Sequence, residues 1–284
     1  AGADERPQAI GEPVAAFACL QARRGPRPGR PRPVNPDGYV SFYSTHFFEY
    51  GVTWSFDRGP YYLTALINLL GPVSRVTASA QKTWELREDA GAMVEVHAPT
   101  HVAGVLDFSN GAVCTVILSA DVYGIGLPHI EIYGSEGSLR CIDPNNFGGT
   151  LYLRNAESPD LIPVESEFGY NENSRCVGIA DMAAALGRGR AHRASGEMAY
   201  HVIDIVNAFH DASRENRHVE LASTCDRPAP LPAGQPTRAG AARDPHRHRC
   251  LPGDALRPRA QELAGTSAEH RQPGRQPIER APLL

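Results

Sequence analysis

The stretch from Phe56 to Val73, FDRGPYYLTALINLLGPV, predicts a helix that packs one face against a core. Its apolar residues recur three and four positions apart, which is the spacing of one side of a helix: Leu63, Leu66, Ile67 and Leu70. Asp57 is placed to cap this helix by accepting the N–H of Gly59. Gly71 and Pro72 are typical residues for its end.

The same stretch carries a polar edge at its N-terminal end. Asp57 and Tyr61 are four residues apart, so a helix would place both on one side, and Thr64 and Asn68 continue that side. The N-terminus of a helix is the positive end of its dipole and stabilises a carboxylate or an alkoxide. A tyrosine beside a carboxylate can donate and accept a proton at a hydroxyl or carbonyl group. Two interpretations follow: Asp57 only caps and Tyr61 only packs, or the two form an acid pair in an active site.

The residues after this helix predict a series of β-strands. VSRVTASAQKTW, residues 73–84, is rich in strand-forming residues. HVAGVLDFSNGAVCTVILSADV, residues 101–122, predicts a hairpin, and its Asn110-Gly111 pair indicates a type I′ turn. A second hairpin is predicted in PHIEIYGSEGSLRCID, residues 128–143, and two short strands in TLYLRN and LIPVE.

Helices return at the end of the predicted domain. ADMAAALG predicts one helix, and Ser195 is placed to cap a longer one. The longer helix has one apolar face: Met198, Val202, Ile205, Val206 and Phe209. Val219–Leu221 is a candidate last strand. This order predicts an α+β fold, with an open, mainly antiparallel β-sheet and helices packed on one face.

Composition divides the 284 residues into three segments. Residues 1–38 form a partial N-terminal segment that ends in an Arg/Pro-rich run, and residues 39–225 form the α+β domain. Residues 226–284 contain no Phe, Trp or Tyr and are rich in Pro, Arg and Ala. Such a tail cannot bury enough apolar surface to offset its ordering entropy, so we predict that it is disordered. The Arg/Pro runs could bind an acidic partner, but solvated segments are the favoured interpretation.

Charge and cysteine content exclude several classes of function. The formal net charge of −4 gives no general attraction to nucleic acid or to anionic membranes, and no apolar run has the length of a membrane span. The six cysteines form no Cys-x-x-Cys pair, so they predict free thiols in a cytoplasmic protein. We therefore expect a small-molecule partner and neither nucleic acid nor membrane.

Two groups of polar residues could in principle hold a metal. His97 and His101 are four apart, but Pro99 lies between them and His101 begins a predicted strand, so helical ligand geometry is not available. Glu197, His201 and Asp204 share one side of the last long helix and could form a metal site or proton relay. A solvated helix face is the commoner reason for such a pattern, and no metal site is predicted.

Five blocks of the sequence together resemble the C-terminal domain of the Gfo/Idh/MocA oxidoreductases, over about residues 8–232. They are IGEPVAAFA, FDRGPYYLTALINLLGPVSRV, APTHVAGVLDFSNGAVCTVILSADV, LPHIEIYGSEGSLRCIDPNNFGG and GIADMAAALGRGRAHRASGEMAYHVIDIVNAF. The blocks occur in the order that the family has. They are specific to the family but not to one substrate.

The resemblance implies a site at the polar edge. Asp57 falls on the family's catalytic Asp, Tyr61 on the position where most members have His and some have Tyr, and Thr64 where many have a second Asp. Asp57 and Tyr61 are therefore the candidate catalytic residues, and Trp54 and Thr64 the candidate substrate-binding residues. Lys82, the only lysine, is not in the Glu-Lys-Pro context of the family lysine.

The resemblance also implies a cofactor and a substrate. Family members are NAD(P)-dependent sugar or polyol dehydrogenases whose N-terminal Rossmann domain binds NAD or NADP. This sequence has no Gly-x-Gly-x-x-Gly turn, so we expect it to be a truncated substrate domain that binds no NAD(P) and is inactive alone. We expect a homo-oligomer formed through the open sheet face. The alternatives are a non-catalytic interaction module that uses that face, and a metal or small-ligand module using His97, His101 or His201.

Overall fold

The computed structural model describes residues 9–21, 48–49, 51–89, 92–122, 126–146, 148–164 and 176–231, all within the unit Ala1–Gly240. The Arg/Pro-rich run and the predicted tail from residue 232 onward lie outside the described residues. No helix in the described ranges has the length and apolar character needed to cross a membrane.

The described residues form four helices and eleven strands. The helices are α1 (Trp54–Asp57), α2 (Gly59–Leu70), α3 (Val177–Arg188) and α4 (Gly196–Glu215). The first six strands are β1 (Pro13–Gln21), β2 (Val73–Gln81), β3 (Leu86–Asp89), β4 (Ala92–Glu95), β5 (His101–Phe108) and β6 (Val113–Ser119). The others are β7 (Ile130–Gly134), β8 (Gly137–Cys141), β9 (Leu151–Asn155), β10 (Ile162–Val164) and β11 (Val219–Glu220).

Nine of these strands build one open sheet in the order β10-β9-β8-β7-β1-β6-β5-β2-β11. Its neighbours pair antiparallel except β1 and β6, which run parallel. Strands β3 and β4 form a separate hairpin that the sequence did not predict. The predicted α+β fold with an open, mainly antiparallel sheet is confirmed.

Strand β1 lies in the middle of the sheet, whereas the sequence placed residues 1–38 outside the domain. It pairs with β6 on one side and β7 on the other, and its alternate residues Ala16, Ala18 and Leu20 are buried. Small residues such as alanine carry little β-propensity, so the strand was hard to distinguish from a flanking segment. The domain therefore includes chain on both sides of the Arg/Pro-rich run.

Helices α2 and α4 cover one face of the sheet, as predicted. Buried and partly buried residues alternate along β5. Gly104 is one of the buried residues, and it leaves room for the ring of Phe209 from α4. A Cβ atom at Gly104 would lie 2.5 Å from Cε1 of Phe209, so only glycine permits this approach. All four predicted apolar residues of α2 are buried: Leu63, Leu66, Ile67 and Leu70.

The β5–β6 hairpin is confirmed, but the predicted type I′ turn is wrong. A type I′ turn requires positive φ at both central residues, and here Gly111 has φ of 90° while Asn110 does not have positive φ. The turn closes one residue earlier, with the N–H of Gly111 donating to the carbonyl of Phe108. Asn110 instead accepts the N–H of Ala112 through its side chain at 3.0 Å.

Candidate functional site

The start of α2 differs from the sequence prediction. Residues 54–57 form the short helix α1, so Asp57 ends one helix and Arg58 occupies the N-cap position of the next without a side-chain cap. The Asp57 carboxylate lies 3.0 Å from Nε of Arg58 in an ion pair. The predicted capping of Gly59 by Asp57 is therefore wrong. Asp57 is the last residue of α1, and its side chain forms an ion pair with Arg58 instead.

Trp54 packs against Arg58 at the junction between α1 and α2. Its side chain is buried, with 2% of its surface exposed, and the Arg58 guanidinium lies 5.6 Å from the centre of its ring. This is cation–π geometry. Trp54 and Asp57 thus pack around Arg58, and neither lines the groove that contains the other two predicted site residues.

A groove of about 730 Å³ runs along the outer edge of α2. Tyr61, Thr64 and Asn68 line it, together with Ala65, so the predicted polar edge does share one surface. Pro60, in the first turn of α2, lines it as well. The remaining walls come from distant parts of the chain: Pro144, Arg193, Ala194, Met198, Pro228, Ala229, Pro230 and Leu231. The volume is that of a site for a small organic ligand.

Residues 228–231, which belong to the predicted tail, form one wall of this groove. Arg227 donates from Nε to the carbonyl of Asn68 on α2 at 2.7 Å. The N-terminus of α4 lies on the same side, where Ser195 caps the helix by accepting the N–H of Met198 at 3.2 Å, as predicted. No local sequence pattern predicts this wall, because its contacts join residues 36, 37 and 159 positions apart.

Arg193 enters the groove from a network centred on Asp181. Both Arg190 and Arg193 pair with Oδ1 of Asp181, the former at 2.6 Å, and the backbone N–H of Arg193 donates to Oδ2 at 2.8 Å. Arg193 also donates to the carbonyls of Ala229 and Pro230, each at 2.8 Å. The hydrogen bond from Arg190 lowers the pKa of Asp181 to about 2, with Arg193 adding to the effect and burial opposing it.

A partly buried cluster around Tyr62 was not predicted from the sequence. The Tyr62 hydroxyl lies 2.7 Å from Nδ1 of His129 and donates to Oδ1 of Asp143 at 3.2 Å. Burial, and then the nearby Asp143 charge, raise the pKa of Tyr62 far above its usual value. Asp143 also accepts the N–H of Asn145 at 3.0 Å, so the cluster fixes the turn whose Pro144 lines the groove.

His201 and Asp204 belong to a relay, a chain of hydrogen bonds that runs from the backbone N–H of Val73 to the Asp204 carboxylate. The N–H of Val73 can only donate, so Nε2 of His201 accepts it at 3.0 Å and Nδ1 carries the proton. Nδ1 then donates to Oγ of Ser223 at 2.7 Å, and Ser223 donates to Oδ2 of Asp204 at 2.6 Å. Burial lowers the pKa of His201, with Asp204 opposing. The relay joins α4 to β2, and Glu197 lies apart from it in a neighbouring cavity.

His97 and His101, the other histidine pair, contact different partners. Nε2 of His97 lies 3.7 Å from Glu95 and 3.8 Å from Glu49, while Nδ1 of His101 lies 3.0 Å from Oγ of Ser119. Over the described ranges, no group of three or more His, Cys, Asp or Glu residues has the arrangement of a metal site.

Comparison with known proteins identifies the fold. Residues 8–140 match the model of the GFO/IDH/MocA C-terminal domain family. An NAD binding oxidoreductase from Klebsiella pneumoniae matches with 16% identity and a TM-score of 0.60, over 76% of this chain and 60% of that one. Levoglucosan dehydrogenase matches with 18% identity over the same shares, with TM-scores of 0.59 for its NADH complex and 0.58 for its complex with NADH and L-sorbose. No curated protein matches the chain.

The matched structures share the fold of this chain, an open sheet with helices on one face. Residues 8–140 resemble the GFO/IDH/MocA C-terminal domain, and the solved structures that share this fold are oxidoreductases. The chain spans 60% of the length of each of the three solved structures named above.

The residues present do not fit a dinucleotide. A Rossmann cradle needs a glycine-rich turn that leads a helix N-terminus to the pyrophosphate, and no Gly-x-Gly-x-x-Gly occurs anywhere in the 284 residues. Lys82 is committed to Glu85, with Nζ 2.5 Å from Oε2.

Proposed function

We propose that this chain is the substrate-binding part of an NAD(P)-dependent dehydrogenase that acts on a small sugar or polyol. The observation that carries the proposal is the groove, because it holds Tyr61 and Thr64, two of the four candidate site positions, on one surface. Asp57 and Trp54, the other two, lie outside its lining. The NADH and L-sorbose bound to levoglucosan dehydrogenase support a sugar ligand and a nicotinamide cofactor for a domain of this fold. A cytoplasmic location belongs to the same proposal, since the five described cysteines are free thiols.

The roles follow from the chemistry of each side chain. The Tyr61 hydroxyl donates or accepts the proton at the carbon–oxygen bond that is oxidised or reduced. Thr64 and Asn68, one and two turns further along α2, are placed to hydrogen-bond the neighbouring hydroxyl groups. Asp57, at the end of α1 and paired with Arg58, acts on the substrate indirectly, through that charged pair. Trp54 also acts indirectly, by packing beneath Arg58.

Titration of the whole chain with D-glucitol, followed by NMR, tests this assignment of the groove. We expect millimolar binding, with shifts concentrated at Tyr61, Thr64 and Met198. Thr150, which is exposed and lies outside the groove, is the reference position. Shifts spread evenly over the surface, or none at tens of millimolar, would contradict the proposal.

We predict that the chain alone does not bind NADH. Without a glycine-rich turn, the pyrophosphate has no row of backbone N–H donors at a helix N-terminus. Nicotinamide fluorescence and calorimetry should therefore show no saturable binding up to high micromolar NADH. Binding with a defined stoichiometry at lower concentration would refute this prediction.

One face of the sheet, which none of the described helices covers, supports a proposal of homo-oligomers. Thr115 is exposed at its centre, paired with Val105 on β5 and with Phe17 on β1. Val113 and Tyr133, on the same face, each have 42% of their surface exposed. A partly apolar, uncovered sheet surface favours self-association through a two-fold contact. The alternative of a pure interaction module would use this same face.

We predict that Thr115→Glu weakens such an oligomer by about tenfold or more, because a two-fold contact brings like charges together. Light scattering across a dilution series measures the shift, with Thr150→Glu as a control at an exposed position outside the sheet. A monomeric wild type, or an oligomer that Thr115→Glu leaves unchanged, would show that this face is not the interface.

A further inference from the structure

The charges around the groove are unbalanced. Arg193 is the only charged side chain among the described residues that line it, and no Asp or Glu does so. The groove also meets two helix N-termini, through Pro60 in the first turn of α2 and through Ala194 and Met198 at the start of α4. Both ends carry the positive pole of a helix dipole. The field in the groove therefore favours an anion.

The Asp181 network does not cancel this charge. One carboxylate is shared by two guanidinium groups, those of Arg190 and Arg193, so the three side chains together keep one positive charge. Neither Glu197 nor Asp226 lines the groove; both line an adjoining cavity, which shares Arg193, Pro228 and Ala229 with it. Asp57, before α2, is paired with Arg58.

Arg193 is also held in place before any ligand arrives. Its hydrogen bonds to Asp181, Ala229 and Pro230 fix the plane of the guanidinium and use three of its five N–H donors. Its side chain retains 23% of its exposure. A rigid guanidinium with donors to spare is the group that best pairs with a planar carboxylate.

We infer that the groove binds an anionic polyol, a sugar acid or hydroxy acid, with its carboxylate beside Arg193 and its hydroxyl groups toward Tyr61 and Thr64. This inference rests on the proposed function, since it names the substrate class of the same groove. It separates a charged ligand from the neutral sugars and polyols, which have the same hydroxyl pattern but nothing to pair with Arg193.

The test compares D-gluconate with D-glucitol, which share the same six-carbon hydroxylated chain and differ in one terminal group. Calorimetric or NMR titration of the full chain at low ionic strength should give a Kd for gluconate at least roughly tenfold lower than for glucitol, the size expected of one partly exposed charge pair. Raising the salt to about 0.5 M should remove most of that preference, because exposed pairs are screened.

Three variants assign the preference to one side chain. Arg193→Gln should abolish it, Arg193→Lys should retain part of it, and Arg190→Gln should leave it intact. Arg190→Gln is the matched control, since it removes the other partner of Asp181 without lining the groove. Circular dichroism checks that each variant is folded. The Lys variant and the salt dependence of the wild type keep the test decisive if Arg193→Gln does not fold.

The outcomes separate this inference from the function on which it rests. Equal Kd values for gluconate and glucitol, or a preference that Arg193→Gln leaves unchanged in a folded protein, would overturn the inference while leaving a neutral-polyol site in the groove. If neither compound binds at tens of millimolar, the proposed function fails and the inference fails with it.

Discussion

Tyr61→Phe is expected to lower turnover by roughly two to four powers of ten, the usual contribution of a positioned acid or base. The measurement needs a dinucleotide-binding domain, so the chain would be fused behind that of a GFO/IDH/MocA relative, with the Arg/Pro-rich run replaced by the relative's sequence. Tyr61 is partly exposed on the groove side of α2, so losing one hydroxyl should leave the stability almost unchanged. A fall in kcat without a change in unfolding is the expected result.

Matched controls separate chemistry from packing in that experiment. Tyr152→Phe removes a hydroxyl from an exposed tyrosine on β9, outside the groove, and should change neither rate nor stability. Equal activity of the wild-type fusion and Tyr61→Phe would return Tyr61 to a packing role.

Asp57→Asn is the companion variant, and the structure changes what it tests. Because Asp57 does not cap α2, the substitution removes only an ion pair with Arg58, and Asp57 is 35% exposed. Pairs of this kind contribute about 0–1 kcal/mol, so stability should hold. A loss of turnover would then report the charge itself, and normal turnover would confine Asp57 to its local pairing.

Periodicity predicted the helices and strands whose patterns are long and local. The apolar face of α2, the Ser195 cap of α4 and both hairpins follow from spacing within a few residues. Asp57 shows where this reasoning stops. Its capping depended on whether residues 54–57 were helical, and a helix of four residues leaves no periodic signal in the sequence.

The groove required contacts that a single sequence does not reveal. Tyr61 and Thr64 could be placed on one edge of α2 from their spacing, but Arg193 reaches that edge only because Asp181 holds it. The hydrogen-bonding role of Tyr62 was not predicted, because an aromatic residue beside a leucine is typical of an apolar core. Its hydrogen bonds run to His129 and Asp143, 67 and 81 positions away.

The His201 relay gives the second large effect, on stability. His201 is fully buried, and it satisfies the N–H of Val73 while donating to Ser223. His201→Ala leaves a cavity of imidazole size and an unpaired donor on Val73, so we expect a loss of about 3–5 kcal/mol in the free energy of unfolding, as for other buried rings. Urea denaturation at pH 7.5 measures it, with His218→Ala as the control at an exposed histidine.

The pH dependence of stability distinguishes a closed structural relay from a site that exchanges protons. Burial lowers the pKa of His201, opposed by Asp204, and lowers that of His210, opposed by Asp211 and reinforced by Arg214. The unfolded chain, with histidine pKa near 6.5, then binds more protons than the folded one once the pH falls below that value. Stability should therefore be full above about pH 6.5 and decrease as the pH falls below it. His201→Phe, which keeps a ring of similar size but cannot titrate, should lose part of that slope, and an unchanged slope would show that His201 binds its proton as readily in the folded chain as in the unfolded one.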